Sequence, residues 1–393
     1  MNYYIKKVSS SIKDKTLKLK ALIYIRNLCW VPIEVFWGFF IFYKGITNTK
    51  ISKNLKIKIN NNEVINRILS AYKLSKNNST NIYNYFKIKG VWNEWIEINF
   101  KYLIKALKDE NIIILNNLLN NMFEESFTRG LGIFEGYTKS KNLFGKFYFK
   151  YVWNSYLKHY LLLGGKKEEL IFPNVGNPTG IKIKNKIIPY EAIRHSYLAK
   201  QYSELLRDQK NPLIVEIGGG FGGFAYQLIS LIKNKNTRYI IYDLPEVNAI
   251  SSFFLMNAFP DKKVILFGEE EIWKSKNLEF DIAIMPYYMI SKLPKDSSDL
   301  IYNACSFSEM SRECALGYIK QIEVSCKKYF AHENHETRFR YYDKNDFSTN
   351  LIGSEVILNK NKFKRIFKKP RLQIPPEDKF FGYFEYLYER IDR

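Results

Sequence analysis

Two hydrophobic rhythms divide the chain. From 61 to 127 apolar positions recur at helical spacing, in VINRILSAYKL and WIEINFKYLIKALKDENIIILNNLLNNMF, and predict helices. FGKFYFKYVWNSYLKHYLLL predicts a further helix, stopped by Gly164 and Gly165. Between them, 129–145 holds Gly130, Gly132 and Gly136 and reads as a loop. FPNVGNPTGIKIKNKIIP carries Pro173, Gly176, Pro178, Gly180 and Pro189, which predict a loop with a short hairpin. The boundary is placed here, giving a mainly helical accessory region over 1–170 and a second domain over 171–393.

A helix from about 190 to 207 leads into the second rhythm, in which short apolar runs alternate with helical stretches. The expected strands are LIVEI (213–217), RYIIY (238–242), KVILF (263–267), DIAIM (281–285) and KKYFAH (327–332). Most are apolar throughout, as strands of a parallel sheet covered on both faces should be. FKRIFKK (363–369) and FFGYFEYLYER (380–390) are expected to form an antiparallel hairpin at one sheet edge. The fold class is therefore α/β and Rossmann-like, a parallel sheet closed by C-terminal antiparallel strands, preceded by the helical region.

Composition refines this. Of the 393 residues 46% are hydrophobic and 25% charged, a globular balance. The formal net charge of +22 could draw the chain to nucleic acid, to an anionic membrane or to a phosphorylated substrate. The lysines are dispersed, however, and no nucleic-acid partner is expected, because a dedicated patch should be local. Cys29, Cys305, Cys314 and Cys326 have neither disulfide-framework nor zinc spacing, which suits a reducing, cytoplasmic setting. The apolar stretch 21–43 follows a basic flank, but Arg26, Pro32 and Glu34 interrupt it. It is expected to pack in the protein or to lie on the inner face of the membrane as a peripheral contact.

The sharpest chemical signal is VEIGGGFGG (215–223), between a strand and a helix. Glycines let such a turn use positive φ and let its backbone lie directly under a ligand, while the next helix offers free N–H groups. Gly218, Gly220 and Gly223 also satisfy GxGxxG, and Asp243 stands 20 residues beyond Gly223 (243 − 223), as a nicotinamide enzyme would need. Against that, Glu216 makes the pattern E-x-G-x-G-x-G, YDLPE follows the second strand, and the chain ends in an antiparallel pair where a second mononucleotide half would stand. These features favour a class I methyltransferase domain that uses S-adenosylmethionine (SAM).

From 176 to 335 the chain resembles the sugar O-methyltransferases of bacterial polysaccharide gene clusters. The residues that carry the resemblance are GNPTG (176–180), Arg194 and Tyr197, IVEIGGGFGGFAYQL (214–228), YDLPEV (242–247), FFLMNAF (253–259) and NACSFSEM (303–310). The resemblance implies methyl transfer from SAM to a sugar hydroxyl. The cofactor would rest on Gly218, Gly220 and Gly222, with Glu216 near its amino-acid end, Asp243 on the ribose and Leu244 by the adenine. Phe221 in the loop and Arg194 in the approach helix complete the expected cofactor set.

A hydroxyl acceptor needs a positioned base, expected in a loop after the fourth or fifth strand. His332 and His335, in AHENHE, are one choice, and Glu309, in SFSEM, is another; Ser308 could alternatively cap the next helix, leaving Glu309 structural. His159 and His195 read as structural. A divalent ion held by His332, His335, Glu333 and Asp281 is conceivable, but the spacing does not indicate one, and no metal ligands are assigned. The expected acceptor is a sugar or glycan, phosphorylated, lipid-linked or acidic. The rivals are a nucleic-acid methyltransferase, a nicotinamide-dependent oxidoreductase and a non-catalytic glycan-binding protein that keeps the fold.

Overall fold

The computed structural model describes residues 51–53, 61–79, 91–128, 130–131, 143–183, 185–232, 236–273, 279–338, 350–356, 358–372 and 382–392. The apolar stretch 21–43 lies outside them, as do the first two residues of the 380–390 segment. Among the described residues no helix is long and apolar enough to cross a membrane.

The N-terminal part holds β1 (Ile51–Lys53) and helices α1 (Asn62–Asn78), α2 (Val91–Asn99), α3 (Lys101–Lys108), α4 (Ile112–Asn120) and α5 (Leu143–Leu162). Local chemistry sets their ends. The side chain of Asn61 accepts from the Val64 N–H to start α1, and Asn111 does the same from Ile114 for α4. Helix α5 stops before Gly164, which takes φ +82. The expected hairpin is β2 (Thr179–Ile183) with β3 (Lys186–Ile188), and β1 joins its outer edge antiparallel to β2. The approach helix α6 (Tyr190–Leu205) follows.

The α/β part contains β4 (Leu213–Ile217), α7 (Gly223–Leu231), β5 (Arg238–Asp243), α8 (Pro245–Ala258), β6 (Val264–Leu266), β7 (Ile282–Pro286) and β8 (Ser298–Ala304). It ends with α9 (Arg312–Ser325), β9 (Cys326–His335), β10 (Phe363–Pro370) and β11 (Tyr383–Arg390). One eight-stranded sheet runs in the order β10-β11-β9-β8-β4-β5-β7-β6. All neighbours pair in parallel except β9–β11 and β11–β10. This is a Rossmann-like α/β fold, a mostly parallel sheet closed by the expected antiparallel pair.

Two details differ from expectation. SDLIYNA (298–304) is a buried strand between β4 and β9, so six parallel strands stand where five were expected. Strand β9 also continues through His335, because β8 and β11 supply ladder partners along AHENH. The polar run that reads as a solvated loop is interior sheet.

Side chains alternate between two apolar layers. Ile214 of β4 joins the layer shared with the N-terminal helices, and Leu213, Val215 and Ile217 join the other. The first layer is continuous from Val64 of α1 to Leu387 of β11. Arg67 of α1 adds a polar tie, donating to Glu269 at 2.6 Å and to the Val264 carbonyl at 2.6 Å.

Candidate active site

Strand order reverses at β4, whose neighbours are β5 and β8, so the chain leaves its carboxyl end in opposite directions and opens a crevice there. The glycine loop forms the floor. Gly218 (φ +76) donates its N–H to the Tyr242 carbonyl at 2.9 Å, and Gly220 (φ +56) donates to Asp243 Oδ2 at 2.9 Å. A Cβ on Gly218 would sit 2.7 Å from Ser306 Oγ, and one on Gly220 2.9 Å from the Leu131 carbonyl oxygen. Glycine is thus required at both positions, for backbone angle and for space.

The cleft, counted to its open mouth, encloses about 1100 Å³. Eight expected site residues line it: Arg194, Glu216, Gly218, Gly220, Phe221, Asp243, Leu244 and Glu309. Gly222 does not. It takes φ +88 to cap α7, and a Cβ there would press on Leu255 at 3.0 Å. Leu244, Tyr287, Cys314 and Tyr318 add apolar surface beside Asp243. Trp92 and Leu131 come from the N-terminal helical region, so that region contributes to the cleft lining.

Three carboxyl groups face this space. Glu216 is 3% exposed and accepts from the Tyr239 hydroxyl at 2.7 Å, yet burial pushes its pKa up to about 8. Asp243 accepts from two backbone N–H groups, Gly220 at 2.9 Å and Leu244 at 2.7 Å, and burial still lifts it to about 7. Glu309 accepts from the indole N–H of Trp92 at 2.9 Å; burial raises it to about 7, against the pull of Trp92 and Arg371. Ser308 does not cap the following helix. Ser311 does, accepting from the Cys314 N–H at 3.3 Å.

The turn that carries Glu309 is pinned from below. Asn334 Oδ1 accepts from the Ser308 N–H and hydroxyl, both at 3.1 Å, and its Nδ2 donates to Asn303 Oδ1 at 3.0 Å. Asn303 in turn donates to the Ile217 carbonyl at 2.9 Å, linking the turn to the end of β4. Cys305 opens the turn with φ +65, a left-handed backbone in a residue other than glycine, and it too lines the cleft.

The two histidines stand elsewhere. His332 is fully buried in β9, its ring stacked on Tyr386 at 4.4 Å, and burial lowers its pKa to about 3. His335 is 2% exposed, and burial lowers it to about 4. Both are neutral, and neither lines the cleft. Glu333 points to the opposite face of β9 from His332 and accepts from Arg194 Nη2 at 2.6 Å and from the Tyr302 hydroxyl at 2.6 Å. Asp281 is held by Lys262 at 2.8 Å, and among the described residues no group of three or more acidic, histidine or cysteine residues could hold a metal. His195, read as structural, lines the cleft with its Nδ1 unpartnered; burial first, then Arg194 and Arg371, keep it neutral.

Sequence reasoning missed Trp92, Cys305 and Arg371. Nothing local distinguishes Trp92 among the aromatic residues of its region, and the backbone of Cys305 is visible only in three dimensions. Arg371 lies two residues beyond FKRIFKK, a stretch expected only to form an edge strand.

No protein-family model matches the chain, and no curated protein does. Among solved structures, the magnesium protoporphyrin IX methyltransferase of Synechocystis with bound SAH is similar over 51% of this chain and 85% of that one, at 10% identity and a TM-score of 0.35. An O-methyltransferase family 2 protein of Planctomyces limnophilus, in complex with apigenin, is similar over 49% of this chain and 56% of that one, at 11% identity and a TM-score of 0.33. At these scores neither likeness bears on activity or substrate.

Proposed function

We propose that the chain is a SAM-dependent O-methyltransferase whose acceptor is a sugar hydroxyl. One observation carries the cofactor: the glycine loop is flanked by carboxyls, and among the described residues the one arginine or lysine lining the cleft is Arg194, which Glu333 already engages. The pyrophosphate of a dinucleotide would find no free cation among these lining residues and would disfavour ionisation of Glu216 and Asp243, whereas the sulfonium and ammonium of SAM would favour the ionised form of both acids. The glycine floor, which a Cβ would obstruct, and the apolar surface of Leu244 and Tyr287 fit the remainder of that molecule.

When bound, SAM supplies an electrophilic methyl group. Asp243 would accept from the ribose hydroxyls with lone pairs left by Gly220 and Leu244, and Glu216 would face the amino end. The α7 N-terminus offers its N–H groups to the carboxylate. Glu309 is the base: with a pKa near 7 it can take the proton of an approaching hydroxyl at neutral pH, and Trp92 fixes the carboxylate that does so. Binding donor and acceptor in register supplies much of the remaining acceleration.

The sugar acceptor is supported by the NACSFSEM and YDLPEV resemblance. Trp92 also places an indole beside Glu309, giving a sugar both a hydrogen-bond acceptor and an apolar surface. The test is transfer of label from methyl-labelled SAM to a panel of monosaccharides, sugar nucleotides and lipid-linked saccharides. Label on a sugar hydroxyl supports the reading. Label only on RNA or DNA, or on no acceptor while SAM is bound, contradicts it.

A further inference from the structure

Beneath the acceptor side of the cleft, two guanidiniums share one carboxylate. Arg194 and Arg371 have side chains only 12% and 13% exposed, and Glu333 between them is fully buried. Glu333 is already satisfied by Arg194 at 2.6 Å and by the Tyr302 hydroxyl at 2.6 Å. Arg371 Nε stands 3.7 Å from it without a hydrogen bond. Among the described residues the one side-chain hydrogen bond of Arg371 runs from Nη1 to Cys305 Sγ at 3.2 Å, and its guanidinium lies over the Tyr383 ring at 4.1 Å.

The next carboxylate does not supply the missing partner. Glu385 is fully buried and is held by Lys369 at 3.1 Å. Among the described residues three cations (Arg194, Arg371 and the partly exposed Lys369) thus face two buried carboxylates (Glu333, Glu385), leaving one positive charge in excess. A guanidinium carries five N–H donors, and leaving one buried without a partner, as Nε of Arg371 is, is unfavourable unless a ligand or water fills it. Arg371 does not line the cleft itself but stands directly behind its wall, donating to Cys305, a lining residue on the turn that also carries Glu309.

We infer that Arg371 recognises an anionic group on the acceptor, a sugar carboxylate or a sugar phosphate, and so selects acidic sugars for the hydroxyl that Glu309 deprotonates. The inference rests on the methyltransferase reading for the identity of the second ligand. A planar guanidinium pairs with either oxyanion through two parallel hydrogen bonds, which a neutral sugar cannot match.

The experiment is calorimetric titration of the full chain, saturated with S-adenosylhomocysteine, using glucuronate, glucose 1-phosphate and glucose as probes. At least one anion should bind about tenfold or more tightly than glucose. Arg371→Gln should weaken that anion about tenfold or more and leave S-adenosylhomocysteine within about twofold. Arg371→Lys, which keeps the buried charge, should retain part of the affinity and guards against a folding defect in the glutamine variant. Binding of glucuronate alone or of glucose 1-phosphate alone identifies the oxyanion. Anions no tighter than glucose, or unaffected by both variants, overturn the inference. Loss of S-adenosylhomocysteine with anion affinity intact also overturns it, because Arg371 would then serve the cofactor. Failure of the wild type to bind S-adenosylhomocysteine would remove the methyltransferase reading instead, and the same anion criteria would then be applied to the ligand-free protein.

Discussion

The indole N–H of Trp92 donates to Oε2 of Glu309 at 2.9 Å, joining positions 217 residues apart. The bond ties the N-terminal helical region to the turn after β8. It also favours the ionised carboxylate, the form a base must have.

Glu309→Gln should therefore lower methyl transfer about 10²- to 10⁴-fold while leaving S-adenosylhomocysteine affinity unchanged. In the wild type, the rate should rise with pH as Glu309 loses its proton near 7. Trp92→Phe removes a donor that holds the carboxyl down, so the rising limb should move to higher pH. An unmoved limb would detach Trp92 from the base.

Gly218→Ala would place a methyl group against Ser306 on a backbone at φ +76, at a conformational cost of about 1–2 kcal/mol before any clash. Gly220→Ala meets the Leu131 backbone instead, so the neighbouring chain must move. Both variants should fold with lowered melting temperature and lose S-adenosylhomocysteine binding, by calorimetry. Retained affinity in both would mean that the loop does not touch the cofactor.

His332→Phe should keep cofactor affinity and most turnover, since the ring is neutral, stacked on Tyr386 and outside the cleft. The change removes a contact between Asn334 Nδ2 and His332 Nδ1 at 3.3 Å, so a stability loss of about 1 kcal/mol is expected. Turnover reduced a hundredfold in a folded variant would return His332 to the position of base.

Burial raises the Glu216 carboxyl to about 8, so the folded protein holds a proton there that the unfolded chain has lost. Its contribution is fully present below the unfolded carboxyl range and disappears as pH rises through about 8. The neutral histidines act oppositely, but their effect is complete above the unfolded histidine value of about 6.5. Between about pH 6.5 and 8 the ligand-free protein should therefore lose stability in thermal melts, and Glu216→Gln should flatten that slope. An unchanged slope would show that Glu216 ionises normally.

Most of the α/β core was legible because its strands are apolar on both faces and separated by helices of ordinary length. SDLIYNA escaped because Ser298, Asp299 and Asn303 break the apolar run. Two of them find partners within the sheet: Asp299 accepts from the Leu213 N–H at 3.0 Å, and Asn303 donates to the Ile217 carbonyl at 2.9 Å. The glycine loop and Asp243 were legible because backbone angle and spacing leave a sequence trace. The two histidines misled because polarity reads as solvent exposure. Here His332 is buried by Tyr386 and Tyr388, 54 and 56 residues downstream (386 − 332 and 388 − 332), a contact no local pattern encodes. The Arg371–Cys305 contact spans 66 residues and was invisible for the same reason.

In the proposed reading the glycine loop and Asp243 hold SAM. Calorimetric titration of the purified chain with S-adenosylhomocysteine and, separately, with NADH tests it most directly, with Asp243→Ala as the control. Micromolar binding of S-adenosylhomocysteine alone, weakened about tenfold or more by Asp243→Ala, is the predicted result. Binding of NADH alone, or of neither ligand, would contradict it.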